Sequence, residues 1–339
     1  MRKIVIDDTV RSYAQRYATE VQAQCPNVDA DLRKLKEFVV ANNNWTDPSA
    51  VEEYIDTLRA DYVSLLTLEP KDWNIGKYDT ILSREPGMLT RKVRYAVKKR
   101  DENGNPTEYY EAKLYERIMF RLRYHDCRSI LGGIHQEMGL KACVYCNTQP
   151  TRSADGVVFY TLDHFKTQSE YTFLGTCFYN LQPSDGTCNG HKSTQPCDFQ
   201  LFVNNPNTEL SPFKFQPQVV ELNKPNEFDC LSIEFLSQNG QQTVDSREYD
   251  RTFHITALYN AYKDVVVELY DKNYKWCNSG IIANYKASIG LNQTRAQMTD
   301  MLLGCPYDES LIHGEVMRKL RYDTMKQLDD AGLLLKEGV

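Results

Sequence analysis

The spacing of apolar and polar residues predicts helices at both ends of this chain. Near the N-terminus, Asp7 precedes a run in which Val10, Tyr13, Tyr17 and Val21 recur roughly once per helical turn. The segments 68–90 and 195–228 are rich in turn-forming residues, which predicts irregular structure and an extended connection. Apolar periodicity predicts further helices over residues 29–39, 46–58, 111–130, 248–276, 291–303 and 309–330.

Two segments predict β-structure instead. Residues 91–100 and 107–110 flank an Asn103-Gly104 pair, a combination that favours a hairpin. Residues 157–162 are β-branched and aromatic and follow an Asp155-Gly156 turn, so they predict a strand. We therefore expect an α+β, mostly α-helical protein. Its predicted parts are a helical region with a basic hairpin (1–130), a central core (131–205) and a second helical region (206–339).

Composition limits the cellular context that we expect. The 339 residues include ten cysteines, and the formal net charge is −6. The first residues lack the apolar core of a signal peptide, and no apolar run approaches the ~20 residues of a membrane span. A chain of this length without export features favours reduced thiols and a metal site over a disulfide framework. A cytoplasmic protein without membrane contact is the expectation.

The segment 143–192 concentrates the residues that a one-metal phosphodiesterase needs. Such an enzyme uses oxygen ligands for a hard cation, a histidine that activates water and a cation near the phosphate. In this segment they follow in the order Asp163, His164, Asn180, Asn189 and Lys192.

This order resembles the HNH endonucleases, whose catalytic core is a ββα-metal fold. The resemblance implies that Asp163 binds Mg²⁺ or Mn²⁺, that His164 is the general base and that Asn180 positions the loop. It also implies a third metal ligand from the helix, either Asn189 or His191. Lys192 falls where such domains carry a lysine near the scissile phosphate.

Cysteines frame the same segment and predict a structural zinc site. The spacing of Cys143 and Cys146 lets two thiolates reach one ion, and Cys188 supplies a third. Many HNH relatives carry a second CxxC pair, but here Asp185 stands three residues before Cys188, so the resemblance makes it the fourth ligand. Cys177 and Cys197 are alternative ligands. A metal-free remnant held by packing and a redox-active CxxC are the competing interpretations.

A basic run upstream offers a nucleic-acid surface, although the acidic net charge disfavours a free-standing DNA binder. The run could equally be the solvated face of the predicted hairpin. Its members are Arg91, Lys92, Arg94, Lys98, Lys99 and Arg100.

The sequence thus favours a DNA endonuclease with an HNH core and a zinc knuckle. The resemblance extends to stand-alone bacterial HNH proteins of restriction and antiviral defence systems, which implies a regulatory protein partner such as an ATPase. The alternative is a zinc-knuckle protein that binds nucleic acid or a partner without cutting.

Overall fold

The computed structural model confirms an α+β protein in which about half of the residues are helical and the sheets are small. It describes residues 1–220, 230–238, 245–278 and 307–334, together with residues 297, 299, 300 and 304. Within these ranges every sheet has two strands. The helix predicted over residues 291–303 lies almost wholly outside them.

Four helices precede the hairpin, and side-chain caps explain where two of them begin. Asp7 accepts a hydrogen bond from the Val10 amide at 2.8 Å, and Asp47 caps a helix whose first residue is Pro48. The irregular structure predicted over residues 68–90 is wrong in part, because a helix occupies 76–84 with Tyr78 and Ile81 buried. These helices are α1 (Asp8–Gln24), α2 (Val28–Ala41), α3 (Pro48–Leu65) and α4 (Gly76–Arg84).

Three of the helices predicted downstream, over residues 111–130, 248–276 and 309–330, are interrupted by a residue in the left-handed region. Arg123 (φ 60°), His254 (φ 53°) and Met317 (φ 61°) redirect the chain where apolar periodicity alone indicates continuity. The resulting helices are α5 (Leu114–Arg121), α6 (Tyr124–Glu137), α7 (Gly186–Lys192), α8 (Ser246–Phe253), α9 (Ile255–Asn260), α10 (Lys263–Asn278) and α11 (Arg318–Asp330).

The predicted hairpin is present as β2 (Lys92–Arg100) and β3 (Pro106–Lys113), which pair antiparallel. The single strand predicted over 157–162 is instead split between two hairpins. Its first part, β5 (Val157–Val158), pairs with β4 (Ser153–Ala154), and its second part belongs to β6 (Thr161–His164), which pairs with β7 (Leu181–Ser184). Elsewhere β1 (Ile4–Val5) pairs with β8 (Phe202–Val203), and β9 (Phe213–Val219) pairs with β10 (Leu231–Ser237).

One continuous apolar core joins the three regions predicted from the sequence. Its buried residues run from Met1 through Val144 to Leu320, so each region contributes to it. A smaller cluster of Leu269, Met325, Leu328 and Leu334 packs α10 against α11. Among the described residues, the structure contains no helix with the length and apolarity required to traverse a lipid bilayer.

Candidate active site and metal centre

A short hairpin followed by a short helix brings the predicted catalytic residues together. In the antiparallel pair β6–β7, Asp163 lies opposite Gln182 and His164 opposite Leu181. Helix α7 begins two residues after β7. Asp163, His164 and Asn189 line one cavity of about 380 Å³ between the hairpin and α7. The chain therefore places an aspartate, a histidine and an asparagine around one cavity.

His164 is held in a defined tautomer. Its Nε2 atom lies 2.9 Å from the carbonyl oxygen of Gly175. Because a carbonyl can only accept, Nε2 must carry the hydrogen, which leaves Nδ1 as the basic nitrogen when the ring is neutral. Burial lowers the pKa of His164, and the bond to Gly175 opposes this only in part. The imidazole is thus suited to accept a proton at Nδ1.

Asp163 is part of a buried ion pair that the sequence did not predict. The Lys192 ammonium lies 3.1 Å from its carboxylate and donates to the His164 carbonyl at 2.9 Å. The exposed fractions of the two side chains are 3 % for Asp163 and 0 % for Lys192. Lys192 therefore contacts the carboxylate from inside the protein, whereas the resemblance implied a position beside the scissile phosphate.

Two further residues fix Asp163, and sequence reasoning missed both. The Tyr145 hydroxyl donates to Asp163 Oδ2 at 2.5 Å, and Gln182 Nε2 donates to that hydroxyl at 2.7 Å. The Tyr145 ring stacks on Phe253 of α8, with centroids 4.8 Å apart. The only signal for Tyr145 is its place between the paired cysteines, because its contact with Asp163 depends on tertiary packing.

Asn180 closes the loop that joins β6 to β7. Its Oδ1 accepts from the Lys166 amide at 2.7 Å, while its Nδ2 donates to the carbonyls of Lys166 and Leu174 at 3.1 Å each. Gly175, the partner of His164, lies in the same loop. These contacts are those of a residue that positions the loop and, through it, the imidazole.

The structure separates the two candidates for a third ligand on α7. Asn189 lines the cavity with Asp163 and His164. His191 is exposed on another side of the helix, with its ring centroid 5.2 Å from that of His254. A helix of this length cannot direct both side chains to one ion, and Asn189 is the one that faces the cavity.

Four buried side chains form a second candidate metal centre. The ligand atoms of Cys143, Cys146, Asp185 and Cys188 all lie within 4.8 Å of one another. Three sulfurs and one carboxylate make up a donor set that tetrahedral Zn²⁺ accepts. Cys177, one of the alternative ligands, donates instead to the Leu68 carbonyl at 3.3 Å. The cluster could therefore hold a metal ion.

The local backbone suits thiolate ligands. Asn147 adopts φ 57°, which turns the chain so that the Thr148 amide and hydroxyl lie 3.5 and 3.2 Å from Cys146 Sγ. Hydrogen bonds from Cys143, and then from Cys188, lower the pKa of Cys146. Negative charge at this sulfur is thus stabilised by its neighbours.

Asp185 has two structural tasks. Its Oδ1 accepts from the Thr187 and Cys188 amides at 2.8 and 3.0 Å, which caps the N-terminus of α7. Its Oδ2 lies 3.3 Å from Cys146 Sγ. One carboxylate therefore joins the cysteine cluster to the helix that carries Asn189.

The turn that carries Cys143, Cys146 and Asn147, called here the cysteine turn, is also hydrogen-bonded to the C-terminal region. The buried Asn147 side chain donates to the carbonyls of Ile312 and Glu315 at 3.0 and 3.2 Å. Its Oδ1 accepts from the Lys319 amide at 2.9 Å. The Tyr259 hydroxyl donates to the Cys146 carbonyl at 2.6 Å. Distant parts of the chain thus hold the proposed ligands in place.

The predicted basic surface is neutralised in part by the opposite strand and by Glu85, which follows α4, since four of its six cations share three carboxylates. Lys92 and Lys98 pair with Glu111 and Glu108 of β3. Arg91 pairs with the buried Glu85, and Arg94 lies 3.9 Å from Glu111.

No family model, no curated protein and no solved structure matches this chain.

Proposed function

We propose that the protein is a metal-dependent HNH endonuclease that hydrolyses phosphodiester bonds in DNA. The observation that carries this proposal is the convergence of Asp163, His164 and Asn189 on one cavity of a hairpin-and-helix unit. The proposal is supported by the order of elements, β6, β7 and then α7, which a ββα-metal core would require.

In this proposal His164 accepts the proton of the attacking water at Nδ1, while its Nε2 remains bonded to the Gly175 carbonyl. The oxygens of Asp163 and Asn189 would hold Mg²⁺ or Mn²⁺, which when bound stabilises the phosphate charge and the leaving oxygen. Asn180 holds the loop in position and, through the Gly175 carbonyl, the His164 imidazole as well.

Asp163 fits a ligand role despite its existing partners. A carboxylate offers about four lone-pair sites, and the bonds from Tyr145 and Lys192 leave some of them free. Lys192 already offsets the charge of Asp163, so we expect the ion to bind weakly alone and more tightly together with a phosphate. Lys192 then acts as a positioning residue for Asp163.

The cysteine cluster is assigned a structural zinc. Cys143, Cys146, Cys188 and Asp185 would hold the ion, and the cap that Asp185 provides would tie its presence to the orientation of α7. Asn189 lies on that helix, so zinc would support the active site without touching the substrate.

The alternative is a zinc-knuckle protein that binds nucleic acid or a partner without cutting. The buried Lys192–Asp163 pair favours it, because an aspartate with a lysine partner needs no metal to be stable in the interior.

The biological setting follows from the resemblance alone. We propose a cytoplasmic effector of an antiviral defence or restriction system, controlled by a regulatory partner such as an ATPase. Gel filtration with and without the products of neighbouring genes tests this; an unchanged elution volume in their presence would contradict it.

The decisive experiment is plasmid cleavage with Mg²⁺ or Mn²⁺. We expect His164→Ala and Asn189→Ala to abolish nicking, whereas His191→Ala, an exposed histidine on the same helix, serves as the matched control and retains it. Equal cleavage by wild type and His164→Ala would remove His164 from the mechanism. Absence of cleavage by every form, alone and with the products of neighbouring genes but with DNA still bound, would support the non-catalytic alternative.

A further inference from the structure

A cluster of arginines and aromatic rings lies on α5 and the adjoining strand β2. The Arg117 guanidinium carbon is 3.9 Å from the ring centroid of Tyr95 and 4.6 Å from that of Phe120. The corresponding carbon of Arg121 is 5.5 Å from the Phe120 ring. The Phe120 side chain is 56 % exposed, a high value for a large apolar residue. We call Tyr95, Arg117, Phe120 and Arg121 the arginine–aromatic cluster.

The two arginines differ from the basic residues of the hairpin. Over the described part of the chain, neither Arg117 nor Arg121 forms an ion pair with a carboxylate, and neither Nε atom has a hydrogen-bond partner. They stand one helical turn apart, and like charges at this spacing destabilise a helix. Glu116, the adjacent acid, is used to cap α5 through the Lys113 amide at 3.1 Å. Among the described residues the two cations therefore have no carboxylate within ion-pair distance.

Phe120 of the arginine–aromatic cluster lines a groove that leads to the candidate active site, and Arg117 and Arg121 are carried by the same helix, α5. A second cavity of about 540 Å³ is lined by Phe120, Tyr115, Tyr124 and Gln168. The last three also line the cavity of His164 and Asn189. Two acids line this groove: Asp126 is paired with Arg123 at 2.7 Å, and Glu116 is the acid that caps α5. An extended polymer could therefore occupy both cavities at once.

These features together indicate which polymer fits. Guanidinium groups without acidic partners bind phosphates, and an exposed phenylalanine offers a face on which an unpaired base can stack. A base inside a duplex has no free face to offer. We propose that the groove from Phe120 to His164 binds a single-stranded DNA segment, with a base on Phe120 and phosphates on Arg117 and Arg121. This inference rests on the proposed function only for the choice of DNA as the polymer.

Binding can be measured separately from cleavage. Fluorescence anisotropy with labelled oligothymidine and with a blunt duplex would be measured on the His164→Ala protein in the absence of divalent ions. Phe120→Ala in that background should weaken single-strand binding by roughly fivefold to a hundredfold, the range that corresponds to one lost base stack. Phe159→Ala is the matched control, because Phe159 is a 70 % exposed phenylalanine that lines neither cavity.

A salt titration tests the arginines. Each phosphate contact on a single strand contributes about −0.7 to the slope of log K against log salt, so Arg117→Gln with Arg121→Gln should flatten the slope by about 1.4. Lys92→Gln with Lys98→Gln, which removes two paired lysines, should leave the slope nearly unchanged.

The outcomes separate this inference from the proposed nuclease function. Unchanged single-strand binding by Phe120→Ala, or equal weakening of single-strand and duplex binding, would overturn the inference even if the protein cuts plasmid. Loss of single-strand binding confined to the cluster variants would support it even if no cleavage were found. Circular dichroism of each variant shows whether the fold is retained, and a folded Phe120→Ala protein makes either result decisive.

Discussion

Substitutions at Asp185 can separate its two tasks, because one oxygen caps α7 and the other faces the cysteines. Asp185→Asn keeps an oxygen that can accept from the Thr187 and Cys188 amides, and asparagine caps about as well as aspartate. Asp185→Cys removes the cap but places a fourth sulfur at the position that completes a second CxxC pair. The two variants should therefore fail in different ways.

The expected magnitudes follow from these contacts. Loss of the two capping bonds in Asp185→Cys should lower the free energy of unfolding of the zinc-free protein by about 0.5–2 kcal/mol. Asp185→Asn should change this free energy of unfolding by no more than about 1 kcal/mol, which is the contribution expected from a negative charge at the N-terminus of a helix. For zinc the order is reversed. Asp185→Asn should weaken binding by at least the roughly 10–100-fold seen when a ligand loses its supporting partner.

Two assays measure these effects independently. Urea unfolding with a chelator present measures the cap, and competition with a chromophoric zinc chelator measures the ligand. We expect Asp185→Cys to bind zinc at least as tightly as wild type while its zinc-free form is less stable. If Asp185→Asn held zinc as tightly as wild type, the carboxylate would not be a ligand and the centre would consist of three cysteines.

Three further changes have measurable outcomes. Lys192→Met should lower the free energy of unfolding, measured in urea, by about 3–5 kcal/mol, because Asp163 is left charged and without its ion-pair partner in the interior. Adding Asp163→Asn to this variant should recover part of the lost stability. If it recovers none, the ion pair is not the cause of the loss. Gly132→Ala should cost about 1–3 kcal/mol since its Cβ would overlap the β4–β5 hairpin, whereas Gly133→Ala, which meets open space on the same helix, should stabilise by up to ~1 kcal/mol; equal melting temperatures would contradict this. Burial lowers the pKa of His135 from 6.5 to about 3. The unfolded chain therefore binds the extra proton between these values, and stability is complete above pH 6.5 and falls on acidification by up to about 1.4 kcal/mol per pH unit. Urea unfolding as a function of pH should show a smaller acid dependence for His135→Gln, and an unchanged dependence would refute the assignment.

Local patterns predicted the parts of the fold that local forces determine. The Asn103-Gly104 turn identified the β2–β3 hairpin, and Asp47 with Pro48 identified the start of α3. The helix breaks at Arg123 and His254 left no trace in the sequence, because non-glycine residues adopt positive φ when tertiary packing over-determines them. The strand predicted over 157–162 failed for a related reason, since its two halves pair with different partners.

The candidate site was likewise predictable only where its residues lie close together in the sequence. Asp163, His164 and Asn189 lie within a short stretch of sequence, so their order could suggest a common site. The contact of Tyr145 with Asp163 and the inward position of Lys192 depend on how the cysteine turn packs, which spacing does not reveal. The partial neutralisation of the basic run could have been predicted from the sequence, because the register of the β2–β3 hairpin places Glu111 opposite Arg94.

The hydrogen bonds that join Asn147 to residues 312–319 affect when the active site can form during synthesis. Ribosomes release the N-terminal part first, so the cysteine turn emerges long before Ile312, Glu315 and Lys319, its hydrogen-bonding partners. Until those residues appear, the Asn147 carboxamide lacks the hydrogen-bond partners that hold it in the folded protein. A nascent chain would therefore carry every proposed catalytic side chain without the support that aligns them, and competence would arrive only after Lys319 has left the ribosome.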